Sequence, residues 1–127
     1  MNNAIQARQI HWHLHVCAMA ELEALLTANT ASIDPEFIDQ CRYSLFSGIQ
    51  SATNLIAQEG WSPAMAAYPT TVKKLEHLQE YWFGRHQIPD PNGPALMFDS
   101  VEQLLLSTAK VKYLTEQLQI YIRFAEE

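Results

Sequence analysis

Three histidines at alternate positions, His11, His13 and His15, open the chain's only dense cluster of metal-ligating or proton-transferring side chains, in the run RQIHWHLHVCAMAELEALL. On a strand all three would converge on one face. The flanking residues repeat with a helical period, and at ~100° per residue His11 and His15 share a side while His13 points nearly the opposite way. The i, i+4 pair His11/His15 has the spacing with which one helix chelates a metal, as in HExxH. Trp12 stands where that motif carries its glutamate, and further ligands would have to come from Glu76, His77 or Glu80. The alternative is that His11 and His15 sit at the edge of the apolar arc, packed in an interface that their titration would make pH-sensitive. That alternative is favoured, so no cofactor is expected, and His11 and His15 are the candidates if a metal is bound.

The stretch IHWHLH resembles the histidine and tryptophan opening of the mini-ferritin family. The downstream acidic ligand pattern of that family is missing, and no residue role carries over. Carboxylate-bridged di-iron bundles use an ExxH spacing that occurs nowhere in the chain. Cys17 beside a histidine could be drawn as nucleophile and base, but Cys17 and Cys41 both fall on helix faces expected to be buried and reduced. There is no GxSxG elbow, no glycine-rich phosphate loop and no calcium loop. A non-enzymatic protein is therefore expected.

The elements that carry these residues are helical throughout. Expected helices cover about 3–28, 35–59, 70–83 and 100–124, with a Gly/Pro loop at 84–98. Asp34 followed by Pro35 caps the second helix, and Asp99 and Ser100, each followed three residues on by Glu102 or Gln103, cap the last. In the second helix Ser44, Gly48 and Ala52 recur every four positions and would let a neighbouring helix approach closely. The first helix is apolar on several sides, the pattern of an element buried against several partners. The last carries two apolar stripes half a turn apart. One is the seven-residue repeat Leu104, Thr108, Val111, Thr115, Leu118 and Ile122; the other is Leu106, Ala109, Tyr113, Ile120 and Phe124. A bundle core uses one stripe, so the excess predicts a homodimer, with self-association assigned to the repeat from Leu104 to Ile122.

With 127 residues, 48% hydrophobic and 17% charged, the chain fits one all-α domain spanning 1–127, a bundle of about four helices. Its net charge of −6 and scattered basic residues disfavour direct nucleic-acid binding. An acidic nucleic-acid mimic is the remaining use of that charge. No window is apolar enough for a membrane span and no secretory pattern opens the chain, so a cytoplasmic location is expected. The aromatic run EYWFGRH offers Tyr81, Phe83, Arg85 and His86 as a partner-binding patch, because Tyr, Trp and Arg are enriched at binding hot spots. The expected function is a small regulatory or inhibitor protein acting through protein contacts as a homodimer. A metal- or small-ligand-binding bundle is the second reading, and an enzyme with its site beneath residues 84–98 is the third.

Overall fold

The computed structural model describes residues 3–28, 30–59, 67–84 and 101–126. Among them are four α-helices and no strand, an all-α bundle: α1 (Asn3–Leu26), α2 (Pro35–Glu59), α3 (Pro69–Gln79) and α4 (Val101–Glu126). Asp34 starts α2 as its sequence requires. Its Oδ1 accepts from the Glu36 amide at 3.2 Å and its carbonyl from the Phe37 and Ile38 amides at 3.1 Å, with Pro35 at the first helical position. Pro69 opens α3 in the same position. The cap expected at Asp99 and Ser100 and the loop expected at 84–98 fall on positions of which only Gly84 lies within the described residues.

α1 is the central element and packs against each of the other three helices. This is why it lacks a single apolar side. Trp12 and Met19 face α2, His13, Cys17 and Glu23 face α3, and His15 and Leu25 face α4. Among residues 7–26, those of α1 whose burial is described, only a narrow ridge through Ile10, Leu14, Glu21 and Ala24 is left exposed.

The pairings fix the helix directions. Along α1 the contacts climb together with α3, from His13 at Thr71 to Glu23 at Trp82, and with α4, from His15 at Thr108 to Leu25 beside Ile122. Against α2 they run in opposite senses, with Trp12 at Ala52 and Leu26 beside Phe46. So α1, α3 and α4 are mutually parallel and α2 is antiparallel to all three. In the sequence, residues 85–100 thus stand between two parallel helices, and a parallel succession needs a longer connection than an antiparallel one.

The core side chains are those the periodicity selects. Trp12, Met19 and Leu22 of α1, Leu45 and Ile49 of α2, Leu78 of α3 and Leu104 and Leu118 of α4 are all fully enclosed. Trp12 enters the core because its indole N–H donates to the Ala52 carbonyl at 3.2 Å. Thr108 and Thr115 sit in the α4 core face by returning their hydroxyl protons to the Leu104 and Val111 carbonyls, both at 2.8 Å. At the end of α3 the expected uniform helix to residue 83 gives way to a π-helical turn over Glu80–Gly84. A wider turn carries one extra residue and re-aims the side chains that follow; here Trp82 is directed onto α1 and α2.

Candidate functional site

The three histidines of α1 enter three environments. His15 is wholly enclosed, with Nδ1 3.4 Å from the Thr108 hydroxyl and the ring beside Gly48 and Met19. Burial pushes its pKa down to about 4, outweighing a backbone hydrogen bond to Gly48 that acts the other way, so the imidazole is neutral. His13 faces α3, where Nδ1 lies 2.5 Å from Thr71 Oγ1 and the ring stacks on Tyr68 at 4.6 Å and 17°. His11 stays half-buried. The expectation for His11 and His15 is a shared place at the edge of the apolar arc, packed in an interface, or a shared metal. The packing of α1 on α2 and α4 encloses His15 within one chain, and among the described residues no group of three or more His, Cys, Asp or Glu side chains is placed to hold an ion.

Cys41 is buried as expected, but Cys17 is not. It is half-exposed at the α1–α3 boundary.

At the other end of the α1–α3 contact is a carboxylate that sequence reasoning missed. Glu23 is 8% exposed; its Oε2 accepts from Trp82 Nε1 at 2.9 Å and its Oε1 lies 3.1 Å from His77 Nε2. The signal was present, since Glu23 follows Val16 by seven residues and so lies inside the apolar arc of α1. Trp82 is also packed edge-on by Phe46 at 5.6 Å and by Tyr81 at 5.2 Å. Replacing Glu23 by alanine leaves the buried indole N–H without its acceptor and is expected to cost about 2 kcal/mol in urea unfolding. His77→Ala, at a largely solvent-exposed ring, should cost a small fraction of that; equal losses would contradict the assignment.

Tyr81, Trp82, Phe46, Leu26, Thr27 and Arg42 line a cleft at this end of the bundle. Of the patch expected to bind a partner, Tyr81 lies on this cleft. The Phe83 side chain, and Arg85 and His86 altogether, are outside the described residues. Glu76 and Glu80 project to solvent, and of that acidic and histidine group His77 alone makes the inward contact to Glu23.

The two stripes of α4 have the opposite roles to those expected. Leu104, Thr108, Val111, Thr115 and Leu118 are buried, and Ile122 is half-buried, all against the core of the same chain. They cannot also be a surface for a second molecule. The other stripe is left outside: Leu106 is 71% exposed, Tyr113 58%, Ile120 41% and Phe124 67%. No family model, curated protein or solved structure matches this chain.

Proposed function

We propose that the chain is a non-enzymatic, cytoplasmic interaction module of the regulatory or inhibitor kind, paired with a second copy of itself through the outer face of α4. The observation that supports this reading is the exposed row Leu106, Tyr113, Ile120 and Phe124. Contiguous apolar surface of this kind marks a contact site in a folded protein. Leu106, Tyr113 and Ile120 follow each other at intervals of seven, the spacing at which one helix packs along another. On one flank of the row stand Lys112 and Glu116. An antiparallel pairing about a two-fold axis near residue 114 sets Lys112 of each copy opposite Glu116 of the other, so the flank is self-complementary.

Two free cysteines agree with a reducing compartment, and no helix among the described residues is long and apolar enough to cross a membrane. Once α4 is occupied by the second copy, the cleft at Tyr81 and Trp82 is left for a different protein.

Light scattering tests the pairing directly. The parent is expected to show twice the 14.5 kDa chain mass, and the double variant Tyr113→Glu/Ile120→Glu to run as the monomer. Its helical circular dichroism should be unchanged, because both positions lie outside the core. A parent of single-chain mass at high micromolar concentration, or a double variant that still pairs, sinks the reading.

A further inference from the structure

The cleft at the end of α1 has a volume of about 310 Å³ and is built in tiers. Leu26 and Trp82 are buried and form its floor, Phe46 and Tyr81 are half-buried and form its walls, and Thr27 and Arg42 stand exposed at its rim. The floor is fixed from behind, because the Trp82 indole N–H donates to Glu23 Oε2 at 2.9 Å and its ring is met edge-on by Phe46 and Tyr81. The π-helical turn over Glu80–Gly84 presents Tyr81 and Trp82 here, and turns of this kind recur at functional sites. Pockets for small molecules enclose ~300–1,000 Å³ and bury most of their ligand. This cleft is at the lower limit and opens between exposed rim residues, so it has room for one side chain presented by another molecule.

Its chemistry is aromatic with a single positive charge. None of the six lining residues carries a carboxylate, and Glu23 is turned away to Trp82 and His77. Arg42 is therefore a local reversal of sign in a chain of net charge −6. Its Nη1 lies 3.8 Å from Asp39 Oδ1, with the two side chains 51% and 76% exposed. An ion pair of that length and exposure holds the guanidinium weakly, so its donors can turn to an incoming carboxylate and grip it through two parallel N–H···O bonds. One cation is too few for a nucleic-acid backbone, whereas Tyr, Trp and Arg together are the residues that anchor protein contacts.

We propose that this cleft is the docking site for an acidic peptide segment of a different protein, which seats an aromatic side chain between Phe46 and Tyr81 and sets a neighbouring carboxylate on Arg42. The inference rests on the reading of the chain as an interaction module. None of the six residues belongs to the outer face of α4, so peptide binding and self-pairing can each fail without the other.

The test titrates the full chain with the capped peptide acetyl-Gly-Phe-Glu-Gly-amide and follows nuclear magnetic resonance signals of the Trp82 indole N–H and the Leu26 and Phe46 amides. All three are expected to shift saturably at millimolar peptide. Replacing the peptide's Glu by Gln should weaken binding about fivefold, the effect of removing one unit charge from ~4 Å in a water-like dielectric. Arg42→Gln should weaken the acidic peptide by the same factor and leave the Gln peptide unmoved, since the two changes delete one interaction. Replacing the peptide's Phe by Ala should abolish the shifts. Arg42 is exposed, and unchanged circular dichroism will show that its variant folds. The Tyr113→Glu/Ile120→Glu variant should bind the peptide as the parent does, while light scattering reads the pairing separately. Absence of shifts at Trp82, or equal affinity for the acidic and Gln peptides, overturns the proposal. So do 3-phenylpropionate binding more tightly than the peptide, which would assign the cleft to a small aromatic acid, and Trp82 shifts that grow with protein concentration alone, which would place a second copy there.

Discussion

Urea unfolding of the parent chain is expected to lose stability steeply as the pH falls from 6.5 to 4, with His15 alone accounting for roughly 3 kcal/mol of the loss. The folded state holds this imidazole neutral down to about pH 4, because it is enclosed by Met19, Gly48 and Thr108, none of which carries a charge. The unfolded chain protonates it at its ordinary value of 6.5. Between the two, the unfolded state binds the extra proton, so stability rises with pH across this window. The contribution is fully present above pH 6.5 and gone once pH has passed below about 4. A folded domain has only about 5–15 kcal/mol to lose, so the chain should be close to its unfolding midpoint in mild acid.

Carboxylates also titrate near the lower end of this window, and the comparison that isolates His15 is with His15→Leu, of similar volume and without a titrating group. The variant should show a flatter profile, less stable than the parent at pH 7 and equal to it or better near pH 4. Parallel profiles for the two proteins would refute the assignment. The same geometry changes the meaning of the acid response. His15 lies inside a single chain, so its protonation acts on folding itself rather than on an interface edge.

A second large effect is expected at Gly48. A Cβ built there would lie 2.6 Å from Met19 Sδ, closer than carbon tolerates, and 3.1 Å from His15 Nε2, a tight contact. Both of those side chains are enclosed and have little room to move. Gly48→Ala gains about 1 kcal/mol of helix propensity but meets an overpacking cost of ~1–3 kcal/mol, for a net loss of order 1 kcal/mol. Gly48→Val adds two more carbons and a β-branch at the same contact, and is expected to cost 3 kcal/mol or more in denaturant unfolding. Met19→Ala destabilises by itself, yet it removes the nearest clashing atom, so the penalty of Gly48→Ala should shrink on that background. Independent, additive effects of the two substitutions would show that the α1–α2 approach is not set at this contact.

Much of the architecture could be read from residue order. The Asp34–Pro35 start, the inward row Ile38, Cys41, Leu45, Ile49, Ala52 and Leu55 on α2, and the inward Leu75, Leu78 and Trp82 near α3 all stand where period and capping chemistry place them. The spacing Ser44, Gly48, Ala52 announced a close helix approach, and α1 makes it at Gly48 and Ala52. The candidate site was less legible. Glu23 carried a usable signal in its position within the apolar arc, whereas its pairing with Trp82 joins residues 59 positions apart, which no local pattern encodes.

What the sequence determined by itself is the set of amphipathic faces: helix period, capping and side-chain polarity are local properties, and they act the same way wherever the helix is docked. It also determined that α4 has one apolar face too many for a single core. Which of those faces is inside was settled only by tertiary packing. Leu104, Val111 and Leu118 interlock with α1 and α2, and Leu106, Tyr113 and Ile120 are left outside. Threonines at 108 and 115 are slim and can return their hydroxyl protons to their own helix, so α1 can approach closely. The fate of each histidine was settled in the same way, because a helical wheel gives directions and only the neighbouring helices decide what lies along them.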